Sequence, residues 1–142
     1  MRSVIYELND KYKIVTYSQL PSGIWSATSS IDTIWKEEAT FSYFEKLLKI
    51  LNASNNKLKE KDALSTPDFY NLLGLKKGTK IEKVAKSFMV ILDNDNLSFI
   101  PNKRNDKRTH YLPQFKDKLD YSLKDDYLDV KRVFIEVLNK CD

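Results

Sequence analysis

The stretch from Ser87 to Cys141 constrains the fold more than any other part of the chain. Ser87 to Leu92 (Ser-Phe-Met-Val-Ile-Leu) is apolar on both faces, the pattern of a strand buried from two sides. Asp93-Asn94-Asp95-Asn96 is turn sequence. Leu97 to Ile100 reads as the return strand, closed by Pro101. A basic loop follows at 102–114, and Lys118 to Ser122 reads as an edge strand. Asp125 or Asp126 is then placed to cap a closing helix that runs to Lys140. That helix carries Tyr127, Val130, Val133, Phe134, Val137, Leu138 and Cys141 on one apolar stripe. Strands and a striped helix must bury their apolar faces against each other. The simplest solution is a single α+β domain over 1–142, a mostly antiparallel sheet with helices packed on it.

The first half repeats these themes. Arg2 to Leu8 and Tyr12 to Tyr17 are strand-like runs on either side of Asn9-Asp10, a hairpin signal. Pro21, Ser22 and Gly23 break the chain, and Ile24 to Thr33 reads as a loop with room for a short strand. Thr40 to Leu51 predicts a helix, with Thr40 as N-cap and Phe41, Phe44, Leu47, Leu48 and Leu51 on its buried stripe. Asn52 to Asp62 is a polar connection. Ser65-Thr66-Pro67-Asp68 opens a short helix that Gly74 ends, and Thr79 to Ala85 can add one or two helical turns. The helices at 40–51 and 126–140 are expected on one face of the sheet.

Several functional classes are excluded at this level. Three glycines cannot build a glycine-rich phosphate loop, and neither nucleotide-binding glycine pattern occurs. One cysteine, Cys141, excludes an intrachain disulfide framework or a cysteine zinc site. With no apolar leader and no apolar run of membrane-spanning length, the lone thiol points to the cytoplasm. Cys141 ends the stripe of the last helix and is expected as a packed thiol. The charge is local. Lys103, Arg104, Lys107, Arg108, Lys116 and Lys118 face only Asp106 and Asp117 within 102–118, an excess that accounts for the chain's whole net charge of +4.

His110 is the only histidine, and no nucleophile or acid stands in recognisable spacing to it. It reads as an exposed loop residue beside Arg108 and Tyr111. Asp93 and Asp95 lack the glycine and distal glutamate of a calcium loop and are explained by turn chemistry. No metal or other cofactor is expected. Trp25 and Trp35 are expected to be part of the core. The basic loop, with His110, Tyr111 and Phe115, can be a solvated loop, a protein-partner surface or a nucleic-acid contact.

The order of elements resembles the immunity proteins of bacterial contact-dependent growth inhibition systems. The residues that carry the likeness are Leu73-Gly74-Leu75-Lys76-Lys77, the strand Phe88 to Leu92, the strand end Phe99-Ile100-Pro101, the helix end Val137-Leu138-Asn139-Lys140-Cys141 and the first strand pair from Tyr6 to Tyr17. The resemblance implies a non-enzymatic cytoplasmic inhibitor, monomeric alone. It would bind the C-terminal toxin domain of a cognate surface effector, often a nuclease, one to one, and occlude its active site. Three routes to the toxin stay open. One is an acidic face around Asp93 and Asp95. Another is the basic residues Lys103, Arg104, Lys107, Arg108 and His110 against an acidic patch. The third is strand addition at a sheet edge. The alternative class is a small nucleic-acid-binding protein using 102–118.

Overall fold

The computed structural model describes residues 1–124 and 128–142. Arg2–Leu8 (β1) and Lys11–Gln19 (β2) form the first hairpin, with Tyr12 opposite Glu7 and Ile14 opposite Ile5. Its two-residue turn needs a positive φ, and Asn9 supplies it at 53°. Trp25–Trp35 (β3) then pairs antiparallel with β2 as the far edge strand. The expectation of a loop at Ile24–Thr33 is therefore corrected: the segment is an eleven-residue strand. Its Ser- and Thr-rich sequence hides a strand because the ladder shifts register between Val15 and Tyr17, which breaks the simple alternation.

Thr40–Ala53 (α1) follows. Its N-cap is Ala39, not Thr40, and no side chain caps it. The Thr40 hydroxyl instead donates to Asp129 at 2.8 Å and accepts the Lys131 N–H, tying the start of α1 to the last helix. The buried stripe is Tyr43, Leu47, Ile50 and Leu51, while Phe41 is 67% exposed. The expected stripe was rotated: spacings of four, three and one follow the 3.6-residue period better than a line through Phe41.

Thr66–Leu72 (α2) starts as expected, with Ser65 accepting the Asp68 N–H and Pro67 in the first turn, and Gly74 takes φ 76° just past its end. Ile81–Val84 (α3) is a single turn. Lys86–Asp93 (β4) and Asn96–Arg104 (β5) form the second hairpin, with Asn94 at φ 54°. Pro101 does not close β5. Its carbonyl accepts the Gln114 N–H at 2.8 Å, so the missing proline N–H faces the same edge. That position falls between the two strands that share the edge, where no ladder donor is needed. These strands are Leu119–Ser122 (β7), paired to Asn96–Phe99, and Tyr111–Pro113 (β6), paired to Asn102–Arg104.

Among the described residues the result is a seven-stranded antiparallel sheet in the order β3-β2-β1-β4-β5-β6, with β7 also on β5, in an α+β fold. β4 is central, as expected. Val130–Asn139 (α4) closes the chain, capped by Asp129 through the Arg132 N–H at 3.0 Å. Asp125, Asp126 and Tyr127, expected in and before this helix, lie outside the described residues. The α4 stripe Val130, Val133, Phe134, Val137 and Leu138 is buried as expected. With α1 it covers the sheet face that carries Ile5, Tyr12, Ile14, Phe88, Val90, Leu97 and Phe99. The opposite face is covered as well, by elements that the sequence reading gave no place on the sheet. There α2, α3 and the segments around them bring Phe69, Leu73, Ile81 and Ala85 onto Tyr6 and Val15.

Candidate functional site at the basic end of the sheet

Strand β5 connects the two surfaces singled out by charge, and it holds them apart. Asp93 and Asp95 sit at the β4–β5 turn, while Lys107, Arg108 and His110 sit at the β5–β6 turn. Nine residues of strand separate the turns, about 30 Å at strand rise. No single small patch contains both sets.

At the acidic turn, Asp93 is exposed and Asp95 pairs with Lys124 at 3.5 Å. Nearby, the Ser98 hydroxyl donates to Asp120 and, with Lys118 and Asn96, holds that carboxyl below its usual range. The acids here are partly neutralised by their own neighbours.

The basic turn is built around Asn105. Its side-chain oxygen accepts the N–H groups of Thr109 at 2.7 Å and His110 at 3.0 Å, its amide donates to the Thr109 hydroxyl, and Arg108 takes φ 51°. An asparagine that ties its own loop fixes the backbone while leaving the tip side chains in solvent. Lys103, Lys107, Arg108 and His110 are exposed there. Arg104 is different. It is half-buried, donates from Nη1 to the Glu82 carbonyl at 3.2 Å, and sits beside Tyr111, whose hydroxyl donates toward the carbonyls of Ala85 at 2.7 Å and Ile81 at 3.2 Å. Arg104 thus fastens the hairpin to α3. Leu112 is exposed opposite Lys103, and Phe115 is exposed just past the end of β6.

Sequence reasoning missed a recess at this same end of the sheet. In one row across the strands stand Tyr12 on β2, Glu7 on β1 and Lys86 on β4. Continuing the Phe88–Pro101 register by two residues extends the row to Lys103, and Leu112 lies opposite it. Over the row runs one edge of α4, and the two enclose a cavity of about 260 Å³ lined by Glu7, Tyr12, Lys36, Tyr43, Lys86 and Lys131 with Ile135, Leu138 and Asn139. These residues are scattered from 7 to 139, so no motif announces them. A larger cavity, about 510 Å³, lies between α2 and the loop after it and includes Pro67, Tyr70, Leu75 and Lys77.

Trp25 and Trp35, expected in the core, stand at the two ends of the edge strand β3. Trp25 is half-buried under the Arg2 guanidinium at 4.5 Å, and Trp35 is exposed with the Lys11 ammonium 5.2 Å away. Ends of an edge strand have no neighbour on one side, so the indoles face cations rather than core. The Cys141 thiol packs against the Ser87 carbonyl at 3.1 Å, and burial pushes it up to about 11, so it stays protonated. Among the described residues no three His, Cys, Asp or Glu side chains gather as a metal site, and no helix is long and apolar enough to cross a membrane.

No family model matches the chain, and no curated protein matches it by sequence. Solved structures do match by fold. A Neisseria meningitidis protein of unknown function superposes with a TM-score of 0.68 at 15% identity, over 99% of this chain and 94% of that one. A chain of the CdiA-CT/CdiI toxin and immunity complex from Yersinia pseudotuberculosis superposes with a TM-score of 0.68 at 12% identity, over 99% and 97%. The fold is therefore shared, nearly end to end, with a component of a toxin and immunity complex. This agrees with the resemblance read from the order of elements.

Proposed function

We propose that residues 1–142 form one immunity-protein domain that binds the toxin domain of a contact-dependent growth inhibition effector and blocks its active site, with no turnover of substrate. The observation that carries this reading is the fold shared over nearly the whole chain with a component of a toxin and immunity complex. The inhibitor half of such a pair is favoured over the toxin half by the surroundings of His110. It is held at an exposed hairpin tip through its backbone, and among the described residues its imidazole has no hydrogen-bond partner. The proposed partner is a toxin domain, a nuclease in this reading, bound in the cytoplasm one to one by a monomer.

Of the three routes, the basic end is the preferred surface. Lys103, Lys107 and Arg108 are exposed at one hairpin, with Leu112 exposed opposite Lys103, whereas Asp95 is already paired with Lys124. That chemistry fits an acidic patch on the toxin. Co-expression with the toxin domain encoded beside this gene tests the reading. Growth should be rescued and the two chains should co-purify at equal stoichiometry. Rescue without a complex would sink it. The exposed Phe115 beside Lys116 also suits base stacking against a nucleic-acid backbone. Nanomolar binding of non-cognate DNA or RNA at physiological salt, lost on reversing the hairpin charges, would favour that second reading.

A further inference from the structure

The recess between α4 and the ends of β1, β2 and β4 carries more cation than its own acid can balance. Glu7 is paired with Lys36 at 2.8 Å. That leaves Lys86 and Lys131, neither in an ion pair among the described residues; the Lys131 ammonium donates to the Glu38 carbonyl at 3.0 Å and lies 5.7 Å from the centre of the Tyr43 ring. Two further features make this a recess with direction. Tyr12 is 3% exposed, its ring is bracketed by Phe134 at 5.2 Å and the Lys36 ammonium at 5.6 Å, and its hydroxyl has no hydrogen-bond partner among the described residues. That hydroxyl is reached by solvent inside the recess, where it can donate to a bound acceptor in place of water. The walls beyond the charges are apolar: Leu138 and Ile135 on α4, with Ile135 53% exposed at the mouth.

We infer that this recess is a carboxylate site that receives an acidic side chain, of glutamate length, from the protein partner. It deepens the inhibitor reading and rests on it for the partner's identity. The aliphatic stem lies along Ile135 and Leu138, and the carboxylate meets the ammoniums of Lys86 and Lys131 and accepts the Tyr12 hydroxyl proton in a hydrogen bond. A phosphate dianion fits less well. It would bring two negative charges beside Glu7, and it has no stem to cover the apolar wall. A nucleic-acid backbone needs an open track rather than a cavity of about 260 Å³. The row through Lys86 runs on to Lys103 and Leu112, so an anchor seated here lies next to the basic hairpin. Buried anchors of this kind dominate the affinity of an interface, and rim charges steer its approach.

The test uses the free protein and defined probes. N-acetyl-glutamate N-methylamide, its glutamine counterpart and inorganic phosphate are titrated separately while backbone amide NMR shifts are followed. The glutamate probe should give saturable, salt-sensitive shifts confined to Glu7, Tyr12, Lys36, Lys86, Lys131 and their neighbours, with at least about tenfold weaker binding by the glutamine probe. Lys86→Gln combined with Lys131→Gln should abolish the response. Should that double variant disturb shifts elsewhere, Tyr12→Phe, which removes only the donor, should still weaken the glutamate probe severalfold. No saturable response, an equal response to glutamine, or tighter binding of phosphate would each overturn the inference. The inhibitor reading fails separately. A wild-type protein that binds the glutamate probe yet captures no toxin domain sinks that reading alone. Toxin capture undiminished in the double variant sinks the anchor alone.

Discussion

The face of the sheet under α1 and α4 and the face under α2 and α3 are held by different means. On the first, Phe134 is the hub of an aromatic cluster. Its ring lies 4.9 Å from Phe88, 5.2 Å from Tyr12, 5.3 Å from Tyr43 and 6.4 Å from Phe99, mostly edge to face. The second face mixes rings with buried polar groups. Tyr6 packs on Phe69 and Tyr111 at 6.0 Å each and shares a long hydroxyl contact with Tyr17, while Asn102 donates to the Ser87 hydroxyl at 2.8 Å. By strand alternation, Arg2, Asn102 and Arg104 all point to this second face. They hold the buried side-chain atoms left without a partner among the described residues: Arg2 Nε, Asn102 Oδ1 and Arg104 Nε. One face is centred on a cluster of rings under the long helices, with the Thr16 and Ser18 hydroxyls bonded to the end of α1. The other is a polar seam closed by short ones, and a seam with unpaired groups opens more easily than a packed core.

The largest test of this contrast is Phe134→Ala. It empties the hub of the aromatic cluster and should cost about 3–5 kcal/mol in denaturant melts. A loss under about 1 kcal/mol would mean that the cluster is not the centre of stability. Alkaline pH should act on both faces at once. Burial raises the phenols of Tyr12 and Tyr43 on the first face and of Tyr6, Tyr17 and Tyr111 on the second, Tyr43 to about 12 and Tyr6 well above its ordinary value. A raised folded value means that the neutral phenol is the form the fold stabilises. That contribution is complete below the unfolded value of about 10 and is lost as pH rises through the folded values. Stability should stay flat with respect to these groups up to about pH 10 and then fall, with phenolate absorbance appearing together with unfolding. Tyr6→Phe and Tyr43→Phe should each remove part of this loss, because burial raises both phenols.

The two faces also differed in how far the sequence revealed them. The helix stripe at 127–141 and the runs Arg2–Leu8, Tyr12–Tyr17 and Ser87–Leu92 are long enough to show their period, and the Asn-Asp turns mark where hairpins close. The first face follows from them, apart from the rotation of α1 that buries Tyr43 and exposes Phe41. The covering of the second face has no such signature. α2 has seven residues and α3 four, too few to establish a helical period, and β3 has its alternation interrupted by a register shift. At the candidate site, charge alone marked the hairpin of Lys103, Lys107 and Arg108. It could not tell that Arg104 is bound to the Glu82 carbonyl. Nor could it assemble Glu7, Tyr12, Lys36, Lys86 and Lys131, which only the register and the path of α4 bring together.

A smaller effect probes the seam itself. Ser87→Ala leaves the Asn102 amide buried with both its donor and its acceptor ends unpaired and should cost about 1–3 kcal/mol. Adding Asn102→Val removes the second partner as well, so the double variant should recover most of that loss. The coupling in a double-mutant cycle then measures how much of the seam is a matched pair rather than packing. Additive losses would show that the Ser87–Asn102 bond is incidental and that the second face is held by its rings.

The smallest expected change in stability belongs to the basic hairpin, outside both cores. Reversing the charge of Lys103, Lys107 and Arg108 should move folding stability by no more than about 0.5 kcal/mol, because these side chains are exposed and the Asn105 backbone ties remain. Arg104 is left intact in this variant, since its bond to Glu82 belongs to the seam; reversing it as well should add a folding defect that the other three lack. Association is where the three exposed charges should count. If this end meets an acidic patch on the toxin, the variant should associate more slowly and with a weaker dependence on salt, while dissociation changes little. If Asp93 and the acidic turn meet a basic toxin instead, the same reversal should leave association unchanged or speed it. Stopped-flow association at two ionic strengths separates the two ends of β5.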